Sequence, residues 1–171
     1  MHMKRSTYLL IGFAATLLLS GCMGYRLGGG HPEGIATVAM APVINSTGEP
    51  AIEIDVTQAL RQRLQLDGRL ELANKPENAD GIIEVTLTQY SLSAIAYDST
   101  LKTTPNIYRL RITGVAELKN LSTGEVVSKS KTYGEATFTF EADLTSSKRD
   151  ALPAAAQEIA KFMVDDLVEQ W

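Results

Sequence analysis

Apolar and polar residues alternate along the chain in patterns that mark strands and two helices. Residues 35–44 (IATVAMAPVI) form a continuous apolar run rich in β-branched side chains. That is the signature of a strand buried on both faces, and it predicts a central place in a sheet. Pro42 has no N–H for a ladder, so the chain is expected to leave the sheet there, with Asn45-Ser46-Thr47-Gly48 as the loop. Ile52, Val56, Ala59, Leu60 and Leu64 then recur at helical spacing, with Pro50 suited to the first turn and Asp67-Gly68 as a stop. Arg61, Arg63 and Gln65 fall on the solvated side of that helix. Residues 69–73 (RLELA) read as a short strand or an extended connection.

Residues 81–97 are long, β-rich and alternating. Ile83, Val85 and Leu87 share one parity, whereas Tyr90, Leu92 and Ala94 share the other, so a bulge is expected near Gln89. A polar loop over 98–106 leads to the cleanest alternation in the chain. Tyr108, Leu110, Ile112, Ala116 and Leu118 lie on one face, and Arg109, Arg111, Thr113, Glu117 and Lys119 lie on the other. Ser122-Thr123-Gly124 then turns the chain into residues 125–140 as a hairpin. A three-residue loop pairing Leu121 with Glu125 places Lys129 opposite Glu117 and puts Lys131 on the Arg111 face; a one-residue slip would drive Lys129 into the core. The last element is a helix with Asp150 as its cap and Pro153 in its first turn. Ala155, Ile159, Phe162, Met163 and Leu167 form its apolar stripe, and Glu158, Asp165, Asp166 and Glu169 an acidic outer side. Trp171 is either a packed terminus or an exposed anchor.

This order predicts an α+β two-layer sandwich, with two helices on one face of a four-stranded, mostly antiparallel or mixed sheet. The other sheet face is left for a partner or water, and it should carry Arg109, Arg111, Lys129 and Lys131.

The N-terminus changes the setting of that domain. Lys4 and Arg5 precede an apolar run over 8–19, too short to span a bilayer, and Leu19-Ser20-Gly21-Cys22 follows. The tetrapeptide resembles the lipobox of bacterial lipoproteins: small Ser20 and Gly21 admit a peptidase, and the Cys22 thiolate accepts a diacylglyceryl group. Residues 1–21 are therefore expected to be a signal peptide and Cys22 the lipidated first residue of the mature chain. Residues 22–34, with Gly28-Gly29-Gly30-His31-Pro32, read as a flexible tether, and His31 as a solvated part of it. Residues 35–171 form a single domain. Met23 after the cysteine resembles lipoproteins sorted to the outer membrane.

Cleavage would leave 14 basic and 20 acidic residues, a net charge of −6, which argues against nucleic acid as a partner. Charge is uneven, however. Lys102, Arg109, Arg111, Lys119, Lys129 and Lys131 meet only Glu117 and Glu125 between positions 102 and 131. The lone cysteine leaves none for a disulfide or zinc cluster. Without a histidine pair, a Gly-x-Ser-x-Gly or a phosphate loop, catalysis, a cofactor and a metal are not expected.

The chain resembles the lipopolysaccharide-assembly lipoprotein family LptE. The matching features are Gly21-Cys22-Met23-Gly24-Tyr25-Arg26-Leu27, the strand that runs from Ile35 through Pro42 to Asn45-Ser46-Thr47, Ala79-Asp80, Ala96-Tyr97-Asp98, Tyr108-Arg109-Leu110-Arg111-Ile112, Ser122-Thr123-Gly124-Glu125-Val126 and the terminal amphipathic helix. The resemblance implies a non-enzymatic lipoprotein that plugs the β-barrel LptD, assists its assembly and contacts lipopolysaccharide at the outer membrane. Lys102, Arg109, Arg111, Lys129 and Lys131 are the candidate contacts for lipid A phosphates. Two other jobs use similar domains: activating a cell-wall synthase, or assembling into a secretion ring.

Overall fold

The computed structural model describes residues 34–100, 103–141 and 143–169. The expected signal peptide, Cys22, most of the tether, Lys102 and Trp171 lie outside the described residues. The elements are β1 (Thr37–Met40), β2 (Ile44–Asn45), α1 (Ile52–Asp67), β3 (Glu71–Leu72), a 3₁₀ turn (Pro76–Asn78), β4 (Gly81–Tyr97), β5 (Pro105–Asn120), β6 (Val126–Thr139) and α2 (Leu144–Val168).

The α+β class holds, but the sheet has six strands rather than four, in the order β3-β1-β4-β5-β6 with β2 also against β4. Proline is the cause of one extra strand. The chain leaves β1 before Pro42 and returns as β2, and both pieces run parallel to the same neighbour, with Met40 opposite Ile83 and Ile44 opposite Thr86. The other extra strand is β3, parallel to β1, with Thr37 opposite Glu71. β1 is therefore interior, and Val38 and Ala39 are both buried.

The lead into β4 is fastened to the start of β1 by one carboxyl oxygen. Asp80 Oδ2 accepts hydrogen bonds from the Ala36 and Thr37 amides at 3.1 and 2.9 Å and from Thr37 Oγ1 at 2.8 Å. These bonds hold the Asp80 carboxyl below its usual range, with the Thr37 amide the largest cause.

Helix α1 buries Ile52, Val56, Ala59, Leu60 and Leu64, the face its spacing predicts, and ends at Gly68, whose φ of 71° lets its amide reach Leu64 O. Pro50 lies ahead of the helix, which begins after a left-handed Ala51. Arg63 is not simply solvated: its Nη2 meets Asp165 Oδ1 of α2 at 2.5 Å and Asp67 at 3.2 Å.

In β4, Leu87 pairs with Gly114 and Gln89 with Thr113, which leaves Thr88 as the bulge. The extra residue switches parity, so Ile83, Val85 and Leu87 and then Tyr90 and Leu92 all pack toward the helices. Along β5, Leu110, Ile112, Gly114, Ala116 and Leu118 are buried in alternation. Glu117 pairs with Lys129 as expected, although through a different turn. Asn120 N donates to Glu125 O, and the ladder shifts between Leu118 and Lys119, so Val127 is the extra residue that restores the register.

Helix α2 starts about two turns earlier than expected. Asp143, not Asp150, is the cap, its side chain accepting from Ser146 N at 2.8 Å, and Pro153 lies inside the helix. The buried stripe is Ala155, Ala156, Ile159, Ala160, Met163, Val164, Leu167 and Val168, while Phe162 is 36 % exposed with Lys161 over its ring. Small residues set this packing. A Cβ on Gly134 of β6 would come within 2.2 Å of Ala155 O and 2.4 Å of Ile159 N. Nor are the α2 acids merely solvated. Glu158 accepts from the Glu135 amide at 2.5 Å, Asp166 from Ser130 Oγ at 2.6 Å, and Asp165 from Arg63 and Lys161. They tie the helix to β6 and α1.

Candidate functional site

Both helices and one face of β4 and β5 share a single core, so the opposite face of the sheet is open. Residues directly opposite one another in an antiparallel pair point to the same side. The open face can therefore be read in rows across β4, β5 and β6: Ser93, Arg109, Thr137; Ser91, Arg111, Glu135; Gln89, Thr113, Tyr133; Thr86, Val115, Lys131; and Glu84, Glu117, Lys129.

Arg109, Arg111, Lys129 and Lys131 all lie on this face, while Lys102 lies outside the described residues. Their charge is not displayed freely, because neighbouring strands supply carboxylates. Lys119 Nζ meets Glu84 Oε2 at 2.6 Å and Glu117 Oε2 at 3.8 Å, and Lys129 Nζ meets Glu117 Oε1 at 2.7 Å. The Lys129 hydrogen bond holds the Glu117 carboxyl below its usual range, and the Glu84 hydrogen bond raises Lys119.

A second group lies nearer the β4–β5 loop. Arg111 Nε donates to Glu135 Oε1 at 2.5 Å, its Nη2 meets the same oxygen, and its guanidinium lies 4.3 Å from the centre of the Tyr133 ring. Arg109 Nε stands 3.6 Å from the other Glu135 oxygen, yet it is buried and has no hydrogen-bond partner. Lys131 is exposed and forms no ion pair among the described residues. Five cations against Glu84, Glu117 and Glu135 leave the face positive by about two charges. Glu135 was legible: extending the Glu117–Lys129 register six residues places it opposite Arg111. Ser91 and Ser93 were not, because their pairing depends on which residue bulges.

On the helix side a cleft of about 540 Å³ opens where the start of α1 nears α2, lined by Glu49, Ile54, Tyr90, Lys148, Arg149 and Leu152 among others. Lys148 Nζ and Glu49 Oε1 meet across it at 2.5 Å. Desolvation, helped by Glu49, pushes the Tyr90 hydroxyl up to about 12. Among the described residues no cluster of His, Cys, Asp and Glu could hold a metal ion, and no helix is long and apolar enough to cross a membrane.

A family model described as lipopolysaccharide assembly, LptE, matches residues 35–171. The chain belongs to the LptE family. The match begins at Ile35, two residues before β1, and takes in every strand and both helices. A search of curated proteins finds no match. Among solved structures the chain is similar to the PelC dodecamer from Paraburkholderia phytofirmans, with 18 % identity and a TM-score of 0.50 over 84 % of this chain and 96 % of that one. It is also similar to a protein from Xanthomonas campestris, with 11 % identity and a TM-score of 0.51 over 73 % and 79 %. A minor lipoprotein from Acinetobacter baumannii covers 80 % of this chain and 96 % of its own, with 14 % identity and a TM-score of 0.45. At identities this low the first two likenesses speak to the fold alone. For this LptE-family chain the matching motifs acquire structural reasons: Ala79-Asp80 carries the carboxylate that fastens β1, and Tyr108-Arg109-Leu110-Arg111-Ile112 sends its arginines to the open face and Leu110 and Ile112 to the core.

Proposed function

We propose that this protein is an outer-membrane lipoprotein, anchored through acylated Cys22, that pairs with an LptD-like β-barrel and contacts lipopolysaccharide through its open sheet face. Membership of a lipopolysaccharide-assembly family over residues 35–171 carries this reading. The surface is compatible with it. A compact sandwich with one polar, net positive face suits the polar lumen of a large barrel, and arginines held on rigid strands can form charge-assisted hydrogen bonds to phosphates. One acyl chain would anchor only marginally, so stable tethering needs the several chains that a lipobox cysteine carries.

Co-purification in mild detergent from outer membranes tests the partnership. A large β-barrel recovered in stoichiometric amount is the expected result; a cell-wall synthase or a homo-oligomeric ring in its place would overturn it. Charge reversal at Arg111 and Lys131 tests the contact, and unchanged lipopolysaccharide binding would reject the assignment.

A further inference from the structure

We propose that Arg109 and Arg111, with Ser91 and Ser93 beside them, form a phosphate-binding site that the protein's own Glu135 carboxylate occupies and a phosphorylated ligand must displace. The proposal deepens the reading of the open face given above and rests on it.

Three observations carry it. First, the two guanidiniums lie two residues apart on the same face of one strand, and Glu135 reaches both, through one oxygen to Arg111 and at 3.6 Å through the other to Arg109. A single carboxylate thus stands where a multidentate anion would sit. Second, the substitution is incomplete. Arg109 Nε is buried yet donates to nothing, so one desolvated donor beside the carboxylate is left unpaired. A carboxylate offers two oxygens, whereas a phosphomonoester offers three and carries about −1.5 to −2 charges, enough to reach Arg111, Arg109 and a neighbouring hydroxyl together. Third, the ground around the pair is small and polar. Ser91 and Ser93 stand directly across from Arg111 and Arg109 on β4, and Thr137 across from Arg109 on β6, leaving room and hydroxyl donors.

Displacement is cheap for a physical reason. The arginine side chains are 41 % and 42 % exposed and that of Glu135 is 24 % exposed, and ion pairs this open to solvent are weak. Tyr133 under Arg111 holds the guanidinium in place when the carboxylate swings away. The Glu135 amide stays bonded to Glu158 of α2 throughout, so side-chain exchange does not require the strand edge to open. The consequence is a site that binds phosphates reversibly rather than tightly, because an internal competitor is always within reach.

The test uses the full acylated chain in mild detergent and measures binding to purified lipopolysaccharide, to the same material with its lipid A phosphates removed, and competition by inorganic pyrophosphate. Glu135→Gln keeps the shape and the backbone amide while removing the charge. It is expected to tighten binding of phosphorylated lipopolysaccharide about tenfold, to leave the dephosphorylated material unchanged, and to let pyrophosphate compete at correspondingly lower concentration. Glu84→Gln adds the same net charge elsewhere on the face, beside Lys119 rather than beside a candidate contact, and is expected to change binding less than twofold. The gain from Glu135→Gln should vanish when Arg109 and Arg111 are both replaced by glutamine. Equal tightening by Glu84→Gln would mean a general charge effect and would overturn the proposal, as would equal tightening toward the dephosphorylated ligand. If Arg111→Glu weakens binding while Glu135→Gln matches wild type, the open-face reading stands and the displaced-carboxylate site falls. If Arg111→Glu changes nothing, both fall.

Discussion

At Asp80 a single carboxylate oxygen does what a stretch of ladder does elsewhere, taking three hydrogen bonds from Ala36 and Thr37 where β1 starts. Its folded-state pKa is depressed. The unfolded chain therefore takes up a proton first as pH falls, and the contribution to stability is complete above the unfolded value and is lost as pH drops through the folded one. Asp80→Asn is expected to lower the urea midpoint at pH 7 and to match wild type more closely near pH 2.5; a gap independent of pH would contradict this origin. Gly134 is the opposite kind of position, needed for what it lacks. An alanine there must push against the backbone of α2 at Ala155 and Ile159, and a destabilisation of about 1–3 kcal/mol or more is expected in urea unfolding. Gly114→Ala should cost less, since its nearest obstacle is the mobile end of Met163.

Among the elements, α2 holds the clearest unused stability. Pro153 is exposed inside a 25-residue helix, where it removes a hydrogen bond to the carbonyl four residues back, at a typical cost near ~3 kcal/mol. Pro153→Ala is expected to raise stability by about 1–3 kcal/mol, read from thermal or urea unfolding; an unchanged or lowered midpoint would show that the proline is serving the fold. The same helix marks the limit of local sequence signals. Asp150 with Pro153 imitates a cap and first turn, whereas the true start at Asp143 opens a polar stretch, Thr145-Ser146-Ser147-Lys148-Arg149-Asp150, with no apolar periodicity to announce it. By contrast the buried face of α1, the alternation in β5 and the presence of a bulge near Gln89, which falls at Thr88, were all legible, because each is written in the spacing of neighbouring residues. What escaped depends on distant partners. Asp165 reads as a solvated acid until Arg63, 102 positions away, is seen to bind it, and Lys119 reads as a free cation until Glu84 of β4 is seen to bind it.

The whole molecule is a sandwich with one closed and one open side. Its helices, the core-facing side of β4 and β5, and the alanine stripe of α2 make one interior, and every cation of interest on the sheet stands on the other side. That division is the central claim: the helix layer builds the protein, and the open face does its work. Site-specific photocrosslinking in living cells tests it most directly, with the crosslinker placed at Thr113, in the middle of the open face, or at Arg61, on the exposed side of α1. The account predicts lipopolysaccharide adducts from position 113 and none from position 61. Adducts from position 61 alone would contradict it.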